Sequence, residues 1–293
     1  MVYQHHNESR KPGGDFSYGH LWGSSHDSAL IAFTLHLADD ALILGHRNSE
    51  WTGRGPVLEQ DIAISNIALD LIGQARNFYQ YAAGLINELS LSARSPEDQN
   101  SLFNSSDTTE DSLAYLRDSW DFKNCLLVEQ PNGDWARTIL RQFFFSAFQY
   151  YLYEQLQSAR HAGLAAIAEK AFKETAYHLQ WSSEWVIRLG DGTDESHVRM
   201  QQSLDLLWPY TGELFRPTNY ELFCIREGIC PDISLLKPSW DAKVLEIFAE
   251  ATLAVPRNVW MQSGGKEGRH TEHLGYLLAE MQFLQRTYPG NDW

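Results

Sequence analysis

The stretch KETAYHLQWSSEW, residues 173–185, decides how this chain is read. It lies in a run from about Ala162 to Leu189 that stops at Gly190-Asp191-Gly192, a helix-ending signal. Within it Leu164, Ile167, Ala171, Glu174, His178, Trp181 and Trp185 recur at alternating steps of three and four, the seam of a bundle helix. Glu174 and His178 therefore occupy positions where apolar side chains are expected. A carboxylate turned into a core is costly unless it is paired, hydrogen-bonded or metal-bound. Tyr177 stands three residues after Glu174, and His178 four.

Working outward, three more long helices are predicted. Leu30, Phe33, Leu37, Asp40, Leu44 and Arg47 share one helix face, and TGRGP (52–56) ends that helix. The second covers about Val57 to Ala83. Its apolar face is Ile64, Ile67, Ala68, Leu71, Ile72, Ala75 and Phe78, flanked by a polar stripe of Asn66, Asp70, Gly73 and Asn77. Residues 89–111, rich in Ser, Asp and Asn, read as a connection, with a short helix at 112–121. Asp134 is a natural N-cap for an aromatic helix at Trp135–Gln157. After 194–215, further helices are expected at about 238–254 and 269–287. No period-two alternation persists, so no strand is predicted. Two long helix pairs joined by a long connection give an all-α, ferritin-like four-helix bundle with additional C-terminal helices. Residues 1–26 read as a disordered or loosely docked tail, in which His5 and His6 are ordinary polar content, and 27–293 as a single domain.

The chain has 293 residues, with 23 basic against 38 acidic side chains, a net charge of −15. That balance argues against nucleic acid or an anionic membrane as partner. Cys125, Cys224 and Cys230 are an odd number without a Cys-x-x-Cys, as for buried thiols in a reducing compartment. No apolar run approaches a membrane span, and the N-terminus lacks an apolar signal core, so a cytoplasmic location is expected. Among 37 Trp, Tyr and Phe residues, Trp51, Trp120, Trp208 and Trp293 are interface candidates only as a class.

Asp40, Asp70 and Glu174 each bring an acid toward the bundle centre from a different helix. A di-iron bundle uses a Glu from each of two helices and Glu-x-x-His from each of the other two. Here Tyr177 and Gly73 stand at the two positions where histidine belongs, the third helix offers Gln142 or Ser146, and at most three acids and one histidine are well placed. The favoured reading is a degenerate inner-face polar cluster of Asp40, Asp70, Glu174, Tyr177 and His178, with no catalytic and no metal-ligating residue in this chain. Two weaker motifs lie near the C-terminus. GGKEGRH (264–270) is a Gly-rich basic loop whose Lys266, Arg269 and His270 could meet a partner or a phosphate. HTEHL (270–274) pairs His270 with His273, which a helix N-terminus explains without metal.

Long collinear stretches then carry a resemblance: 49–83, 126–153, 165–196, 251–256 and 264–293. They resemble the PaaC family, the non-catalytic ferritin-like subunits of ring 1,2-phenylacetyl-CoA epoxidases in phenylacetate degradation. The resemblance covers about residue 28 to the end and leaves the N-terminal tail unmatched. It implies a multicomponent, NADPH-dependent mono-oxygenase. A PaaA-like subunit would hold the di-iron cofactor and the CoA thioester, a PaaB-like small subunit would complete the oxygenase, and a separate reductase would supply electrons. This chain would carry no cofactor. The alternatives are an autonomous di-iron oxidase with a variant ligand set, or a self-assembling ferritin-like protein.

Overall fold

A computed structural model describes residues 26–93, 108–289 and 291. The described residues form ten α-helices: α1 His26–Ser49, α2 Leu58–Ala93, α3 Glu110–Tyr115, α4 Trp135–Leu156, α5 Ala162–Gly190, α6 Asp194–Leu207, α7 Asn219–Arg226, α8 Lys237–Glu250, α9 Glu272–Met281 and α10 Phe283–Thr287. No strand occurs among them. The expected tail lies outside the described residues except for His26, which opens α1.

The arrangement is ferritin-like. α1 packs against α2 and α4 against α5, with lighter contact between α2 and α5. Gly45 lies at the first pairing: a Cβ there would lie 3.1 Å from Ile72 Cγ1 and 3.3 Å from the Ala68 carbonyl, so a larger residue would press on α2. α4 begins where its N-cap predicts, with Asp134 Oδ1 accepting from Arg137 N at 3.1 Å. The remaining helices wrap this core, α6 and α8 against α4 and α5, and α7 against α1.

Several boundaries differ from expectation. α2 runs to Ala93, so residues 89–93 belong to the helix rather than the connection. The stretch expected as one helix at 112–121 is α3 followed by a 3-10 turn at Ser119–Asp121. α7 is eight residues long and too short to show a helical period. α1 is also long and apolar enough to resemble a membrane span, a correction to the sequence reading; its apolar window is wholly buried, as in a core helix.

The described part of the long connection is unusual. Residues 122–130 are all buried without forming regular structure. A buried irregular backbone must find partners for its N–H groups. It finds carboxylates: Lys123 N donates to Asp39 Oδ2 (2.7 Å), Cys125 N to Asp40 Oδ1 (2.7 Å) and Leu126 N to Glu213 Oε2 (2.7 Å).

Candidate functional site

The inner face of α5 is shifted from the expected seam. The fully or nearly fully buried line runs Leu164, Ala168, Ala171, Thr175, His178 and Ser182, again at steps of four and three. His178 is at its centre, while Glu174 sits at its edge and is partly exposed. Tyr177 is 49% exposed, which removes it from the inner cluster. The reason is geometric: one residue along a helix is a rotation of about 100°, so Tyr177 cannot share the face of His178.

The expected single cluster divides into separate groups. His178 Nε2 lies 3.0 Å from Asp70 Oδ2, and that carboxylate is 37% exposed. Gln74 Nε2 donates to Glu174 Oε2 at 2.9 Å. Asp40 belongs elsewhere: besides Cys125 N, it faces His36 Nε2 at 3.0 Å. Between them the bundle centre is filled by amides and hydroxyls. Asn48 Nδ2 donates to Gln142 Oε1 (2.6 Å), Gln142 Nε2 to Ser146 Oγ (2.7 Å) and Gln149 Nε2 to Tyr153 Oη (3.0 Å). Burial raises the Tyr153 pKa; the Gln149 bond opposes this, and the Asp40 and Glu174 charges add to it.

These residues do not fit a pair of irons. Such a centre needs convergent carboxylates and two histidines. Here α4 presents amides and a hydroxyl, the α1 acid is engaged by a backbone N–H and His36, and Gly73 of α2 is exposed. Among the described residues, no group of three or more His, Cys, Asp or Glu side chains is arranged to hold a metal ion.

The 264–271 loop also differs from the phosphate-loop expectation. Lys266 is buried, and its Nζ lies 2.8 and 3.0 Å from the two Glu221 oxygens. Burial alone would raise the Glu221 pKa, but Lys266 and His36 beside it hold the carboxyl below its usual range. His270 is buried against Glu129 and the Phe122 carbonyl. Of the three basic residues only Arg269 faces solvent, where it pairs with the exposed Glu267. The loop does bind anions, but they are the protein's own. Gly264 N donates to Glu213 Oε1 and Thr271 N to Glu129 Oε1, each at 2.7 Å. Gly264 and Gly268 have φ of 135° and 82°, left-handed values that a side chain would strain. A cavity of about 350 Å³ opens beside the loop, lined by Ala29, Ala32, Tyr220, Phe223, Lys266 and Glu267 among others.

The strongest electrostatic feature was missed in the sequence. Asp39, fully buried, accepts from Tyr79 Oη at 2.5 Å and forms a short ion pair with the equally buried Arg117. Burial alone would lower the Arg117 pKa, yet Asp39 beside it raises it on balance. Arg47, near the end of α1, sends Nε and Nη2 to the Glu129 carbonyl at 3.2 and 2.9 Å. A usable signal existed: His36, Asp39 and Asp40 interrupt an otherwise apolar α1, and Glu129 interrupts the apolar run 126–128.

A family model described as Phenylacetic acid catabolic protein (PaaA_PaaC) matches residues 21–293. A protein of Escherichia coli (strain K12), named as one of the subunits of 1,2-phenylacetyl-CoA epoxidase, is 47% identical over 264 residues, which is 90% of this chain and 99% of that protein. With that extent of match over a ferritin-like bundle, the chain belongs to the phenylacetic acid catabolic protein family.

Proposed function

We propose that the chain is a structural, non-catalytic subunit of a multicomponent ring 1,2-phenylacetyl-CoA epoxidase acting in aerobic phenylacetate breakdown. It pairs with a PaaA-like catalytic subunit, which carries the di-iron cofactor, and with a PaaB-like small subunit. Electrons come from an NADPH-dependent reductase, and the complex works in the cytoplasm. The observation that carries the reading is the centre of the bundle, where Gln142, Ser146 and Gln149 occupy α4 and Asp40 is engaged by Cys125 N and His36. A family bundle whose own centre does not suit two irons is suited to support one that does.

Pairing is supported by the outer face of α2. Ile62, Leu69 and Leu91 are exposed there, and Gly73 and Gly84 share that face with nothing within 4 Å of an added Cβ. Glycine in a helix costs about 1 kcal/mol relative to alanine. Gly45 and Gly163 are explained by close approach within the chain, whereas Gly73 and Gly84 are not. A helix of another chain seated on them explains both. With a net charge of −15, a second copy is repelled, so an unlike subunit is the better occupant.

The test is expression of this chain alone and together with its catalytic partner in iron-replete medium. The proposal expects near-zero iron and no oxygen-dependent turnover alone, with co-purification and turnover in the pair. Two tightly bound irons per isolated chain would overturn it in favour of an autonomous oxidase.

A further inference from the structure

His270 sits between two acceptors. Its Nδ1 lies 2.8 Å from Glu129 Oε2 and its Nε2 lies 2.9 Å from the Phe122 carbonyl oxygen. A carbonyl oxygen can only accept. Glu129 also receives Asn124 Nδ2 at 2.9 Å and both the amide and the hydroxyl of Thr271 at 2.7 Å. Three other donors thus converge on this carboxylate, and both nitrogens of His270 face acceptors. A neutral imidazole has a single N–H, whereas the imidazolium satisfies both contacts at once.

We propose that His270 is a pH-operated latch that closes the 264–271 loop onto the buried connection, held as the cation and released when it loses its proton. Deprotonation removes one of the two bonds and turns a lone pair toward an oxygen. Glu213 still holds Gly264 and Glu221 still holds Lys266, so the release is local. The segment that loosens adjoins Glu267 at the edge of the 350 Å³ cavity, while the Lys266 part of that wall stays held by Glu221.

The surroundings favour the cation. Glu129 and Asp39 are the carboxylates that act on it; Asp39 is paired with Arg117 and faces Lys123, which in turn faces Asp121 and Glu267, Arg47 of α1 reaches the His273 carbonyl, and Glu272 and His273 follow His270 in the chain. Burial alone would lower the His270 pKa. The Glu129 bond and charge, the Phe122 carbonyl and Asp39 outweigh burial, and the pKa is raised above 6.5. A histidine with a raised folded pKa contributes its full stabilisation below the unlatched value near 6.5. That contribution is lost as pH rises through the folded value. Between the two values the ratio of latched to unlatched loop falls about tenfold per pH unit.

Amide hydrogen exchange at Arg269 and Thr271, corrected for intrinsic rates and followed from about pH 6 to about pH 9, reads this directly. The wild-type protein should lose protection at these amides with that slope, while His270→Gln, which cannot ionise, gives lower and pH-independent protection. Flat wild-type protection, or the same slope in His270→Gln, overturns the latch. Should the variant fail to fold, the ¹⁵N shifts of the wild-type imidazole decide: its titration midpoint must lie above the ordinary value near 6.5, and a midpoint at or below that value refutes the proposal.

Discussion

Asp39 and Arg117 allow a sharp test of what holds the connection in place. Both side chains are fully buried, and removing one partner of such a pair costs about 3–5 kcal/mol. The structure orders the variants within that range. Asp39→Leu strands the guanidinium and takes away the carboxylate that accepts from Tyr79 Oη and Lys123 N, so it belongs at the upper end, near about 5 kcal/mol. Arg117 keeps the Leu113 carbonyl (2.5 Å) and the Asp121 carbonyl (3.0 Å), which do not neutralise its charge. Arg117→Met leaves Asp39 with the Tyr79 hydroxyl and the Lys123 amide, so it costs about 3 kcal/mol. Its side chain still lies against the rings of Tyr79 and Phe122, whose centroids are 5.5 and 4.2 Å from the guanidinium. The double variant removes both charges of this pair and leaves two donors without the carboxylate, about 2 kcal/mol in sum when each costs the lower end of about 1–3 kcal/mol. Urea unfolding midpoints of the four proteins close the cycle. The expected signature is a double variant more stable than Asp39→Leu alone. Additive losses, or a cost under about 1 kcal/mol for Asp39→Leu, would refute the reasoning.

Two further outcomes are expected. Gly73→Ala should stabilise the isolated chain by about 0.5–1 kcal/mol, because a Cβ there meets nothing and helix propensity improves, yet weaken co-purification with the catalytic subunit; a lower midpoint for the isolated chain would contradict the open face. Glu174→Ala should cost about 1 kcal/mol by leaving Gln74 Nε2 unpaired, its Oε1 already lacking a partner among the described residues, and an unchanged urea midpoint would show that this bond contributes nothing.

The all-α bundle was legible because α2 and α5 carry their periods openly, no strand alternation competes, and α4 announces its N-cap at Asp134. The site was legible only in part. On α5 the spacing rule fits two neighbouring lines equally well, and burial selects the one through Thr175 rather than Glu174. On α1 the rule has no power, because the helix is buried on nearly every side from Ser28 to Asn48. A helix enclosed all round has no inward face to infer, so Asp40 could be placed toward the centre while Asp39 went unnoticed. The decisive partners also lie far along the chain. Arg117 is 78 residues from Asp39, and His270 is 141 from Glu129. No local pattern encodes such pairings. The basic loop misled for a related reason: glycines with neighbouring cations look alike whether the anion is a ligand or a distant glutamate.

The amides of Lys123, Cys125 and Leu126 are received by Asp39, Asp40 and Glu213, as a neighbouring strand would receive them in a sheet. In a sheet the acceptors are main-chain carbonyls, present whatever the residue type, and the ladder tolerates substitution. Here the acceptors are side chains. The shape of 122–126 is therefore written at positions more than 80 residues away on either side of it, and each of those three carboxylates is a single point of failure for a backbone it adjoins only in space.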